Sequence, residues 1–219
     1  TNITFTPTAP LICGDNTIIT VSASGDTEEV DLINEGFEGG LGVFSSTTPT
    51  SVNGGVDSPW SVKTSTYQPT TTTVFRPALS SGSIGNRFAF TTSDYQNSNI
   101  ETNLTTTASI NTSTFTSLTL TFRHYYSYFG GDSGRVQVST NGGTSWTTLT
   151  GATYTSDIGS PSKFDNVTIG MNAYVGQSNL MIRFNYRADW DDGWALDDVR
   201  LFGTRPLTAA FTWSGATVD

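Results

Sequence analysis

The chain of 219 residues holds a single cysteine, Cys13, and a single histidine, His124. An internal disulfide is therefore excluded, and so is a zinc site built from Cys and His ligands. Lysine is nearly absent: Lys63 and Lys163 are the only two, and the formal net charge is −9. A chain without a basic stripe has little with which to neutralise phosphates, which argues against nucleic acid and anionic membrane surfaces as partners. No apolar run approaches the roughly 18 residues of a membrane helix, so no membrane insertion is expected. No signal peptide precedes Thr1, and the chain reads as a processed or excised piece of a longer protein with further domains. Helix-forming stretches are lacking too, because nowhere do Ala, Leu, Glu and Lys combine over a long window.

What fills the chain is Thr, Ser and 22 Gly, arranged as short Thr/Val/Phe/Tyr runs between Gly/Asn/Asp/Ser/Pro clusters. That pattern predicts an all-β sandwich or barrel. "NRFAFTT" (86–92) places Phe88 and Phe90 inward. "SLTLTFRHYYS" (117–127) places Leu118, Leu120, Phe122 and His124 on one face. "GRVQVST" and "SWTTLT" flank "NGG", a hairpin signal. "NLMIRFNYR" turns Leu180, Ile182, Phe184 and Tyr186 inward, and "WALDDVRLF" closes the series. Strands spread over 37–203 with one long loop region predict two packed antiparallel sheets, an antiparallel jelly-roll β-sandwich.

Several motifs carry chemistry at first sight. "GGDSGRV" contains GDSG, but a serine nucleophile needs a converging histidine base and acid. The lone His124 lies one strand upstream on an apolar face, so Ser133 reads as part of a turn, His124 as a core imidazole, and the chain as no enzyme. "STNGGTSW" (139–146) resembles an Asp-box turn with Asn141 in place of Asp, a local folding device. "ADWDDGW" (188–194) mixes aromatics with acids as glycosidase clefts do, yet acids adjacent in one turn rarely face each other across a substrate.

Asp197 poses the sharper question. Strand alternation places it with Ala195, Val199 and Leu201, where a bare carboxylate is costly. "NEGFEGG" supplies a second misplaced acid, Glu38, after an inward Phe37, and the first and last strands of a jelly roll are commonly neighbours. Two carboxylates there, with loop oxygens, would make an oxygen-only site for a hard cation, for which calcium fits best.

"FEGG", "NSNIETNLTT", "LTLTFRHYYSY…GDSGRVQVSTNGGTSWTTL" and "DDGWALDDVRLF" together resemble the MAM-like jelly-roll modules of bacterial surface proteins. The similarity is nearest to the cleaved-adhesin domains of gingipains and the C-terminal module of immune-inhibitor-A-type secreted proteases. It covers about 37–203. The resemblance implies a structural calcium held by Glu38 and Asp197, with Asp198 beside it, Asp57 as the loop acid, and Glu101 as a further acid. It also implies a non-catalytic adhesion or ligand-binding module of a large bacterial secreted or cell-surface protein, located outside the cell, whose partner is an extracellular glycan or surface protein. The competing reading is an accessory carbohydrate-binding module of a polysaccharide-degrading enzyme, with Tyr126, Tyr128 and Phe129 in "YYSYFGG" as the sugar platform. A structural spacer in a repeat adhesin is a third. The two ends, 1–30 and 205–219, resemble a split bacterial Ig-like (PKD-like) repeat into which the 31–204 jelly roll is inserted, with Ile19 or Val21 beside Phe211 or Trp213.

Overall fold

The computed structural model describes residues 2–6, 20–83, 85 and 87–207. The strands are β1 (Asn2–Thr6), β2 (Thr20–Ser24), β3 (Thr27–Glu35), β4 (Phe44–Val52), β5 (Ser61–Thr64), β6 (Arg87–Thr92) and β7 (Asn99–Thr106). They continue as β8 (Ser117–Ser127), β9 (Ser133–Ser139), β10 (Thr147–Tyr154), β11 (Asp165–Gly170), β12 (Met181–Ala188) and β13 (Gly193–Pro206). One sheet runs β10-β9-β12-β7-β4. The other runs β11-β8-β13 and then β6-β5, with β3 also on β13. All pairings are antiparallel, as a jelly-roll sandwich requires. β1 and β2 pair with each other as a separate two-stranded sheet. Residues 208–219 and the side chains of Ile19 and Val21 lie outside the described residues, and with them the expected pairing of the two ends. β3 begins at Thr27 and pairs with β13 as far as Pro206, so the sandwich takes in a few residues on either side of 31–204.

The main core lies between the sheets and follows period-2 alternation. β8 contributes Leu118, Leu120, Phe122 and Tyr126, β12 contributes Ile182, Phe184 and Tyr186, and β13 contributes Trp194, Leu196, Val199 and Leu201. The "NGG" hairpin joins β9 to β10, with Gly142 and Gly143 at φ 66° and 90°. Asn141 Oδ1 accepts the Ser145 amide, and the Trp146 indole N–H donates to the Gly143 carbonyl.

β6 departs from expectation. Phe88 and Phe90 do not face the space between the sheets; Ala89 does. The two phenylalanines point outward into a second apolar cluster with Phe75, Leu79, Tyr125, Phe164 and Ala195. The long connection after β5 folds over the outer face of the sheet, so both faces of β6 are buried, and alternation alone could not say which one faced the sandwich.

β13 departs as well. Asp198 adopts φ 49°, and the register against β8 shifts between Asp197 and Arg200. This β-bulge breaks the alternation. Trp194 and Leu196 before it share the main core with Val199 and Leu201 after it, whereas Ala195 points to the second cluster. Asp197 stands opposite Arg123 of β8, so it does not share a face with Val199 and Leu201 as expected. The bulge falls where β6 ends its pairing with β13 and β3 begins.

Candidate ligand-binding groove

At the end of the sandwich where β8 finishes and β13 starts, residues 128–132 meet the turn 189–192. Tyr126, expected on a sugar platform, is fully buried. Its ring stands edge-on to Trp194 and Tyr186, and its hydroxyl donates to Asp132 Oδ2 at 2.7 Å. Burial pushes the phenol far above its ordinary range, so it stays a neutral donor. It belongs to the core and cannot meet a ligand. Tyr128 is half-buried, its amide bound to Asp157 and its hydroxyl accepting the Gly131 amide.

Phe129 is different: 79 % of it is exposed. Asp191 holds it there, for its carboxylate accepts the amides of Phe129 and Gly130 at 2.6 and 2.8 Å and that of Asp192 at 2.7 Å. The neighbouring Trp190 is 44 % exposed and sits at φ 53°. A bulky residue in that left-handed region costs about 1–3 kcal/mol. Val74, almost wholly exposed, approaches from the long connection after β5. With Thr73, Asp94 and Asp192, these three line a recess of about 240 Å³. Asp94 is braced by the Phe75 amide, and Asp192 by the Ser127 hydroxyl at 2.6 Å. Burial raises the Asp192 carboxyl above its ordinary value, an effect the Ser127 hydrogen bond counters and the nearby acids reinforce. The groove thus offers flat apolar faces beside braced carboxylates. That is the combination that stacks on a sugar ring and accepts its hydroxyls.

Beneath the groove, Asp132 and Asp191 are both almost fully buried and their carboxyl groups touch. Asp132 Oδ1 has no hydrogen-bond donor. Its pKa is pushed up to about 7, first by burial and then by Asp191, against the Tyr126 hydroxyl. Ser133 opens β9 on the outer face, whereas His124 is buried inside, its Nδ1 accepting the Trp194 indole N–H at 3.2 Å. Burial lowers the imidazole to about 4. Among the described residues no serine–histidine hydrogen bond forms.

The expected calcium ligands do not all come together. Asp57 is fully buried and accepts Lys63 Nζ at 2.5 Å, the Tyr67 hydroxyl at 2.6 Å and the Thr70 amide at 3.0 Å, so its oxygens are spent. Glu101 lies on β7 in the opposite sheet, bound to Asn185. Among the described residues, neither shares a hydrogen-bond partner with Glu38, Asp197 or Asp198. Glu38, Asp197 and Asp198 lie beside Ser81, Ser83, Gly85 and Arg87. Ser81 hydrogen-bonds Asp197, Ser83 donates to Asp198, and Glu38 accepts the Arg87 amide while crowding Gly85. Asp197 is 2 % exposed, and burial raises it to about 6. Arg123 reaches Asp198 at 3.7 Å. Among the described residues no three carboxylates close on one point. The donors are nonetheless all hard oxygens, and a buried carboxylate with a raised pKa is what a divalent cation would relieve.

No protein-family model and no curated protein sequence matches the chain. Solved structures do. The K3 cleaved adhesin domain of Lys-gingipain from Porphyromonas gingivalis is 16 % identical, with a TM-score of 0.52 over 78 % of this chain and 98 % of that one. The K1 cleaved adhesin domain of the same protein gives 16 % and 0.52, over 81 % and 98 %. The CBM22-1 xylan-binding domain from Paenibacillus barcinonensis Xyn10C is 12 % identical, with a TM-score of 0.43 over 86 % and 99 %. At such identities the shared feature is the fold: a jelly-roll sandwich of the form taken by the gingipain adhesin domains.

Proposed function

We propose that the protein is a non-catalytic binding module of a large bacterial secreted or cell-surface protein, and that it adheres to glycan through the Phe129–Trp190 groove. The observation that carries this is Trp190, held half-exposed in a strained conformation beside a second exposed aromatic and two braced acids. Phe37 shares that backbone conformation but buries its ring in the core, whereas at Trp190 it leaves the indole half-exposed beside Phe129. The gingipain adhesin domains of like fold make adhesion the first reading. The same groove would equally serve an accessory carbohydrate-binding module of a polysaccharide-degrading enzyme. Calcium, in this reading, is structural: Glu38, Asp197 and Asp198 would supply its carboxylates, and Ser81 and Ser83 further oxygens. A glycan array probed with the module and with Trp190→Ala tests the reading. A defined saccharide signal lost in the variant supports it, and attachment to protein-coated but not glycan-coated surfaces overturns it.

A further inference from the structure

On the far side of the ridge formed by Phe129–Gly131 and Asp189–Trp190 lies a second recess, of about 260 Å³, lined by Asn99, Gly131, Ser133, Arg135, Arg187 and Asp189. Its two arginines come from adjacent strands. Arg135 stands opposite Asn185, and Arg187 is two residues further along β12, so both guanidinium groups lie on the outer face as diagonal neighbours.

Most cations of this chain are spoken for. Arg200 pairs with Glu29 and Asp31, Arg205 with Glu28 and Lys63 with Asp57. On the same face as the recess, Arg183 donates to Gln137 and lies over the Trp146 ring at 4.3 Å. Among the described residues, Arg135 and Arg187 have neither an ion pair nor a guanidinium hydrogen bond. Glu101 stands across from Arg187 on β7 but accepts the Asn185 side-chain amide instead, and two like charges held as neighbours without an ion pair are unfavourable. The arrangement is more telling in a chain of net charge −9, where acids are plentiful.

Resting on the glycan reading above, we infer that the ligand is an acidic polysaccharide: sugar rings lie in the Phe129–Trp190 groove and a carboxylate or sulfate crosses the ridge to Arg135 and Arg187. The planar guanidinium fork matches a carboxylate or sulfate edge in bidentate fashion. Asp189, in the same recess, is left to accept sugar hydroxyls. Because the whole module is acidic, general electrostatics repels an acidic polymer, so any preference for one must come from a local site.

The test is affinity measurement of the module at low ionic strength against matched polymers: polygalacturonate against neutral galactan for the carboxylate, and dextran sulfate against dextran for the sulfate. The expected result is at least about tenfold tighter binding of one acidic polymer than of its neutral counterpart, the worth of one charge-assisted contact. That preference should fall with salt and vanish in Arg135→Gln/Arg187→Gln. The variant should keep its melting temperature and its binding to the neutral polymer, while Lys163→Gln behaves as wild type. Equal or better binding of the neutral polymers that is sensitive to Trp190→Ala overturns the inference and leaves the glycan reading standing. An acidic preference that survives the double variant overturns it too. Binding of none of the polymers counts against both.

Discussion

Replacing Asp132 by Asn isolates the carboxyl pair that underlies the groove. The raised pKa of Asp132, about 7, means the fold holds its proton more tightly than the unfolded chain does. Its stabilising contribution is therefore intact below about pH 4, the unfolded value, and is lost as pH rises through 7. Taken from 3.8 to about 7, the shift has a ceiling of about 4 kcal/mol at 1.36 kcal/mol per unit. Relaxation and water entry reduce this, and roughly 1–2 kcal/mol is the expected penalty at pH 8. Asparagine keeps the Tyr126 hydrogen bond through its carbonyl and offers Asp191 an N–H in place of the proton. Asp132→Asn should thus melt about 2–8 °C above wild type at pH 8 and within a degree of it at pH 4. The difference between the two proteins is the readout, because His124 acts the other way in wild type. Its pKa, lowered to about 4 by burial, gives stability present above about pH 6.5 and lost as pH falls through 4. The assay is differential scanning calorimetry at five pH values in parallel. A variant less stable than wild type at pH 8, or a difference independent of pH, would refute the shared-proton account.

Melting in calcium and in EGTA should differ by several degrees, since a hundredfold excess over Kd contributes about 2.7 kcal/mol; Glu38→Gln and Asp197→Asn should each abolish the difference, and identical curves would remove the cation from the account. Trp190→Gly should be about 1 kcal/mol more stable than Trp190→Ala by urea unfolding, because glycine accepts the φ of 53° without penalty; the reverse order would mean that the turn is not strained. His124→Ala should cost about 2–4 kcal/mol through the cavity it leaves among Phe122, Tyr154 and Trp194, and a near-neutral result would contradict its place in the core. Ser133→Ala should leave any peptidase or esterase trace in a pure sample unchanged, and a trace that vanished would revive GDSG as a nucleophile.

Period-2 alternation in β8 and β12 makes the main core legible in the sequence, as Leu118 and Phe184 show. It failed where a second layer or an inserted residue intervened. Phe88 and Phe90 look inward on any alternating reading, yet the 65–82 connection covers the other face of β6, a long-range event that no local pattern encodes. Asp197–Asp198 marks a bulge, and a bulge flips every side chain after it. The groove was half legible. "YYSYFGG" contained Phe129, but Tyr126, two residues into the buried end of β8, belongs to the core. Trp190 and Asp192 lie in "ADWDDGW", whose adjacent acids suggest paired catalytic groups more than a stacking face. The acid that faces Asp192 comes from a distant turn, at Asp94.

The groove itself is the central claim. Isothermal titration of the polysaccharide selected by the array into wild type, Trp190→Ala and Phe129→Ala, each first shown to melt as a folded module, tests it most directly. Loss of one exposed stacking aromatic is predicted to weaken binding about tenfold or more, with melting temperatures kept within a few degrees. Wild-type affinity in both variants would contradict the account.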